Sequence, residues 1–249
     1  MSINQITGKI PCIYKCKIID EPTNKPGRTT RKRIVTSELD DNFQRDIRDT
    51  NQTFTVTGKV DGTCCRINNG EFQKRRDIKK GKTKPDTWTE TQSVSGHKTG
   101  FMSLEKCDKH HKSCLSTING KQYIKLFLLS CALFDISNTL ADKTKCTIIN
   151  VPIEQLNNKS VELVGPKFNT NPHGLPEHCV IVHGSIQLDG YPTTFELSKF
   201  KKWFENSESC KYFEGVVVHF SGGNTYKVHR HHLDMEANNY PSLMEYSKL

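Results

Sequence analysis

Two tight turns between alternating apolar runs constrain this chain more than any other feature. CCRI at 64–67 is followed by NNG at 68–70 and EFQKR at 71–75, and GVVVHF at 215–220 by SGGN at 221–224 and TYKVH at 225–229. Such runs joined through Asn-Gly or Gly-Gly read as hairpins, because glycine and asparagine accept the positive φ these turns need. TFTVT at 53–57 alternates strictly and puts Phe54 and Val56 on one face. VELVG at 161–165 and HCVIVHGSIQL at 178–188 read as further strands. YIKLFLLSCALFDI at 123–136 reads as a buried strand, with a helix as the alternative. Adjacent Cys64 and Cys65 face opposite ways if they lie in a strand.

Helices are few. SELDDNFQRDIRD at 37–49 spaces Leu39, Phe43 and Ile47 four residues apart, with Ser37 as its N-cap. LSKFKKWFEN at 197–206 puts Leu197, Phe200 and Phe204 on one stripe. The expected class is α+β, with antiparallel sheets flanked by a few helices. No internal repeat, low-complexity tract or long linker divides the 249 residues, which favours one compact domain over two. Residues 1–52 are expected to pack on a core at 53–235, with 236–249 as a tail. Residues 79–122 are polar and glycine-containing and read as an insertion or a flap.

No apolar run reaches about 18 residues, which excludes a membrane-spanning helix. The first twenty residues lack an apolar h-region, against a secretory signal. The ten cysteines are therefore read as reduced, core-type thiols in a reducing compartment, cytoplasmic or nuclear. A net charge of +9 points to a polyanionic partner such as nucleic acid. Residues 71–84, EFQKRRDIKKGKTK, hold seven basic and two acidic residues, so +5 of that charge sits there. Arg28, Arg31, Lys32 and Arg33 form a second cluster. Each is either a solvated loop or a phosphate-tracking surface.

The sharpest chemical signal is TGKVDGTCC at 57–65. Gly58 and Gly62 bracket Lys59, so the backbone can turn tightly there and admit a ligand closely. A lysine at a strand end, with Asp61 two residues on, is either an ordinary turn lysine or a covalent nucleophile activated by its surroundings. CDKHHKSC at 107–114 offers Cys107, His110, His111 and Cys114, but four ligands within eight residues wrap one tetrahedral zinc poorly.

Lys59-Val60-Asp61-Gly62 resembles the first signature of the covalent nucleotidyltransferases, the superfamily of ATP-dependent ligases and mRNA-capping enzymes. KRRD at 74–77, VELVGPKFNTNPHG at 161–174, EGVVVHF at 214–220 and YKVHRHHL at 226–233 resemble its later signatures, in order. KVDGTCC, ELVG with N-x-NP-x-G, and KVHRHHL together are similar to the 5′–3′ RNA ligases found in vertebrates and other lineages, as are IPCIY at 10–14 and DEP at 20–22. The resemblance implies an adenylyltransferase (ATP-grasp-like) domain. Only 22 residues follow Lys227, too few for the OB-fold that DNA ligases and capping enzymes append there.

The resemblance also implies the chemistry. Lys59 would take AMP from ATP, AMP would pass to an RNA 5′-phosphate, and an RNA 3′-hydroxyl would displace it. Thr57, Gly58, Asp61, Arg75, Glu162, Glu214, Lys227 and His229 would bind the nucleotide. Of these, Lys227 would contact the α-phosphate and keep Lys59 deprotonated by like-charge repulsion, and Glu162 would accept the ribose hydroxyls. Arg75 shares its run with Lys74 and Arg76, either of which is an alternative. Glu214 and Asp61 would hold Mg²⁺ or Mn²⁺. Arg76, Lys79, Lys80, Lys82 and Lys84 would track RNA. Gly58 stands where the superfamily leads one to expect a glutamate, leaving that position only a backbone contact. The implied protein is a monomeric ATP-dependent RNA ligase; a DNA ligase, a guanylyltransferase and a non-catalytic RNA-binding protein on the same fold are the alternatives.

Overall fold

A computed structural model of the chain describes residues 8–22, 27, 29–94, 97–129, 146–235 and 240–246. Strands dominate, in sheets of two, three and nine strands, with three short α-helices among the described residues. The contacts form two compact units interleaved in sequence: Ile10–Lys59 with Gln187–Asn239, and Val60–Ile186 with Ser2–Lys9 and Tyr240–Leu249.

In the first unit, the strands Phe54–Lys59 and Thr225–His229 flank Gly215–Phe220, which is buried along its whole length. The hairpin at 215–229 matches the sequence expectation. An aromatic cluster packs this unit: the Phe43 ring stands edge-on to Phe195, Phe220 and Tyr226 at 4.9, 5.7 and 5.0 Å. Such pairs add about 0.5–1.5 kcal/mol each beyond the area they bury. Phe43 comes from a helix that runs Asp41–Arg48, shorter than the expected 37–49. Ser37 and Leu39 instead end the strand Thr29–Leu39, which pairs with Tyr14–Pro22. The cap is Asp40, whose carboxylate accepts the N–H groups of Asn42 and Phe43 at 3.0 and 3.3 Å. Strand pairing holds the backbone extended through Leu39, so the first side-chain oxygen free to cap is one residue later. The second expected helix, Leu197–Asn206, forms as read, with Phe200 and Phe204 buried.

In the second unit, Lys159–Val164 lies between Thr63–Asn68 and Cys179–Val182 in the nine-stranded sheet. Thr63–Asn68 turns into Glu71–Ile78 through Asn69 and Gly70, at φ 50° and 74°, the positive values a type I′ hairpin requires. Cys65 is buried with Ile67, Val161 and Leu163, and Cys64 is on the opposite face, as the alternation predicts. Among the described residues of this sheet, strand pairing is antiparallel except at Val180–Leu126, where Cys179–Val182 runs parallel to Lys121–Leu128. The run at 123–136 is strand as far as Leu128; residues 130–136 lie outside the described residues. The run at 178–188 is strand only over Cys179–Val182, because Gly184, at φ 77°, turns the chain away. Residues 79–122, read as an insertion or flap, supply the strands Thr89–Val94, His97–Ser103 and Leu115–Ile118 to this sheet. These strands are too rich in Thr, Ser and Lys to show an apolar alternation.

Candidate active site

The register of the three-stranded sheet assembles the first group of residues. Lys59 is opposite Gly215, and Gly215 opposite His229; two residues along, Thr57 is opposite Val217 and Val217 opposite Lys227. Residues two apart on a strand share a face, so Thr57, Lys59, Lys227 and His229 belong to one face of this sheet. Gly215 puts no side chain between Lys59 and His229, and a Cβ there would lie 2.0 Å from the Val228 carbonyl oxygen.

Glu214 fills that gap. Its Oε2 accepts from Lys59 Nζ at 2.5 Å and its Oε1 lies 2.7 Å from His229 Nδ1. Its backbone N–H donates to the Lys59 carbonyl at 2.9 Å, fixing one residue against the other. Burial alone would raise the Glu214 carboxyl, but the His229 hydrogen bond and the Lys59 charge outweigh it and hold it at about 2. Burial pushes His229 down to about 4, helped by the charges of Lys59 and Lys227 and opposed by Glu214. At neutral pH this is therefore a carboxylate against a neutral imidazole. Its Nδ1–H donates to Glu214, which leaves Nε2 as an acceptor. His232 is pushed to about 3, first by burial and then by His231 and His229, and its Nδ1 accepts the His229 backbone N–H at 3.3 Å.

Three expected roles meet this geometry differently. Each Glu214 oxygen, expected to face a metal, meets a protein partner here, Lys59 on Oε2 and His229 on Oε1. Thr57 is buried, with its hydroxyl 2.9 Å from His219 Nε2, so its side chain ties two strands together. A Cβ on Gly58 would lie 2.8 Å from the Phe213 ring. The Phe213 ring, itself fully buried, takes the space a glutamate would use, which accounts for the glycine.

Within the second unit, the segment at 162–173 clasps Asp61 and Gly62. The Asp61 backbone N–H donates to His173 Nε2 at 2.8 Å, and the Asp61 carboxylate accepts from Asn169 Nδ2 at 2.6 Å. The Gly62 N–H donates to Glu162 Oε1 at 3.1 Å, and a Cβ at Gly62 would lie 2.4 Å from the Leu163 carbonyl oxygen. Glu162 Oε2 is 2.8 Å from His183 Nε2. Strand alternation then separates the three basic residues of Glu71–Ile78. Lys74 donates to Glu105 and Asp108, and Arg76 approaches Met102 Sδ at 3.9 Å. Arg75, on the other face, forks onto Asp77 through Nε and Nη2 at 3.1 and 3.3 Å and hydrogen-bonds Cys64. Arg75 is thus the member of the run on the Cys64–Glu162 face.

Lys79, Lys80, Lys82 and Lys84 are exposed, but Lys84 is paired with Glu90 at 3.4 Å and lies over the Trp88 ring. The residues at 107–114 do not converge as a four-ligand set. Cys114 is buried, which pushes its thiol up to about 12, and donates to the His111 carbonyl, whereas Cys107 is exposed. Among the described residues, the groups with metal-ligating atoms in reach of one another are Cys64 with Glu162 and His183, and Glu105 with Cys107 and Asp108. Neither contains Glu214 or Asp61.

The structure thus gathers Lys59, Glu214, Lys227 and His229 in one unit, and Asp61, Arg75 and Glu162 in the other. Sequence reasoning missed Phe213, His173, Asn169 and His183. N-x-NP-x-G at 169–174 contains two of them, but nothing in its spacing says that Asn169 and His173 grip Asp61.

The family model for RNA ligase 1 matches residues 73–246, a span that includes Arg75, Glu162, Glu214, Lys227 and His229. Proteins named RNA ligase 1 from Pongo abelii and Mus musculus are each 26% identical to this chain over 282 aligned positions, covering 94% of it and 82% of their own length. The Danio rerio protein of that name is 24% identical, over 94% of this chain and 83% of its own. Among the described residues no helix is long and apolar enough to cross a membrane. With seven-tenths of its length matched by that model, the chain belongs to the RNA ligase 1 family.

Proposed function

We propose that this chain is an ATP-dependent RNA ligase that joins RNA 5′-phosphate and 3′-hydroxyl ends through a lysine–AMP intermediate. The observation that carries the reading is the Lys59–Glu214–His229 constellation, on a sheet face that also bears Lys227. Lys59 attacks the α-phosphorus of ATP and pyrophosphate leaves. The AMP then moves to the RNA 5′-phosphate, and the 3′-hydroxyl attacks that end and expels AMP. Each transition state spreads negative charge over phosphoryl oxygens and is stabilised by fixed cations.

The chain's own residues divide this work. An amine that is donating to a carboxylate has its lone pair committed to a proton, so Lys59 must part from Glu214 and lose that proton before it attacks. Lys227 supplies positive charge for the α-phosphate. Neutral His229 orients Glu214 without adding charge. Glu162, held through Oε1 by the Gly62 N–H, offers Oε2 to ribose hydroxyls, and Arg75 offers its guanidinium to ribose or phosphate. Glu214 and Asp61, the residues expected to hold a divalent metal, already bond Lys59 and His229 on one side and Asn169 on the other, and among the described residues neither joins a group of three metal-ligating atoms within reach of one another. Mg²⁺ or Mn²⁺ is instead proposed to arrive on the ATP phosphates, as Mg²⁺ commonly does.

The test is covalent labelling. The protein is incubated with α-labelled ATP and magnesium, denatured and examined for retained label. Label on wild type and none on Lys59→Ala is expected; absence of label on wild type, or equal label on both, rejects the reading. Labelled GTP in parallel separates ligase from capping chemistry. Nicked DNA and 5′-phosphorylated RNA as acceptors separate the substrates, and faster sealing of DNA would reassign the enzyme.

A further inference from the structure

We propose that Cys64, Glu162 and His183 form a binding site for a thiophilic divalent cation of the zinc class. The three come from three neighbouring chain segments and share one face of the nine-stranded sheet. Cys64 and Glu162 are direct cross-strand partners, and Glu162 is opposite Ile181, two residues before His183. Diagonal and direct neighbours on one sheet face are within reach of one another. The sulfur, one carboxylate oxygen and one ring nitrogen all lie within 4.8 Å of each other. Around a tetrahedral zinc, with bonds of ~2.0 Å to N and O and ~2.3 Å to S, such atoms stand ~3.3–3.6 Å apart. The sulfur has to draw in by at most ~1.3 Å and the hydrogen-bonded Glu162–His183 pair, at 2.8 Å, to open by ~0.5 Å, both within the reach of side-chain torsions.

The site is also anchored. Glu162 Oε1 is held by the Gly62 N–H, so Oε2 is the atom turned toward His183. The His183 backbone N–H donates to the Ser160 carbonyl at 3.1 Å, which fixes the residue beyond the strand end. Thiolate and carboxylate together carry the −2 that balances a divalent ion. The positive charge of Arg75, which hydrogen-bonds the thiol, is already answered by its fork onto Asp77. A sulfur, nitrogen and oxygen set selects zinc, cobalt or copper over magnesium or calcium, which take oxygen. Three protein ligands leave a fourth position open to water or a substrate oxygen. Because Glu162 also serves the ribose in the nucleotide reading, metal and nucleotide would compete for one carboxylate; this consequence alone rests on that reading.

The experiment uses the full chain without nucleotide, so its result does not depend on ligase activity. Metal-stripped protein is titrated with Co²⁺ and followed by absorption. Wild type is expected to take one equivalent and to show thiolate-to-cobalt charge transfer, which excess Zn²⁺ abolishes. Cys64→Ser is expected to lose that band, and His183→Gln to weaken cobalt binding at least tenfold. Cys107→Ser, in the exposed Glu105–Cys107–Asp108 group, should keep both band and affinity. Circular dichroism melts confirm that each variant is folded. A wild type that binds no stoichiometric Co²⁺ overturns the proposal, as does a folded Cys64→Ser that keeps the band.

Discussion

Lys59 and Glu214 are fastened to each other twice. Nζ meets the carboxylate at 2.5 Å, and the Glu214 N–H meets the Lys59 carbonyl at 2.9 Å. In the proposed reaction the first contact decides when the amine is released. The second belongs to the fold, because it sets Glu214 just outside the last paired position of Gly215–Phe220, against Lys59.

A stability profile follows from the groups around this pair. His229 and His232 are depressed to about 4 and 3, so as pH falls below about 6.5 the unfolded chain takes up their protons first. Their contribution is complete above that value and is lost as pH falls toward 4. Glu214, held at about 2, contributes above its ordinary carboxyl range and loses that contribution as pH falls from about 4.5 toward 2. The first window is expected to remove on the order of 3 kcal/mol for each histidine between pH 7 and 4, less where solvent screens the ring. Thermal melts of wild type and a His229→Gln, His232→Gln double variant measure it. The variant's melting temperature should vary less across that window, and a slope equal to wild type would refute the assignment.

Gly58 and Phe213 should be energetically coupled. With a Cβ at 58 only 2.8 Å from the ring, Gly58→Ala is expected to cost about 1–3 kcal/mol. Phe213→Leu opens space and is destabilising on its own. If the clash is the cause, the double variant is more stable than the sum of the singles predicts. Additive losses in denaturant melts would mean that the ring does not exclude the side chain.

The framework was legible where local chemistry and tertiary structure agree. Asn69-Gly70 demands a hairpin whatever surrounds it, and Phe54 and Val56 share one face of their strand, where Phe54 packs on Phe195 and Phe220. Phe200 and Phe204 likewise announce their helix. Legibility failed where a neighbouring segment decides. Ser37 is as good a cap as Asp40 until pairing with Tyr14–Pro22 keeps the chain extended. Thr89–Val94 looks like loop until His97–Ser103 gives it a partner. At the site, Lys59 and Glu214 could be named from motifs. The clasp of Asp61 by His173 and Asn169 could not, since hydrogen bonds spanning more than 100 residues leave no periodicity to read.

On the proposed function, the basic run at 74–76 separates into structural and nucleotide-facing members. Lys74 is largely buried and bonded to Glu105 and Asp108, and Asp108 is held below its usual range by that lysine despite its burial. Lys74→Ala strands two acids and should cost about 1–3 kcal/mol of stability, leaving Lys59 labelling near wild type at temperatures where the protein is folded. Arg75→Ala should do the reverse, reducing labelling at least tenfold with a smaller shift in melting temperature. Labelling lost with Lys74 and kept without Arg75 would exchange their roles.

Charge downstream of that run should serve RNA unequally. Lys79, Lys80 and Lys82 are exposed in the turn after Glu71–Ile78, whereas Lys84 is engaged by Glu90 and Trp88. Neutralising the first three removes up to three phosphate contacts. For single-stranded RNA, that should flatten the slope of log affinity against log salt by about 2, at ~0.7 per contact. Lys84→Ala should change the slope little, because Glu90 already competes with phosphate for that ammonium. Binding titrations from low to high salt, run beside Lys59 labelling, separate the two jobs. A flattened slope with intact labelling assigns the lysines to RNA, whereas lost labelling would draw the segment into the ATP site instead.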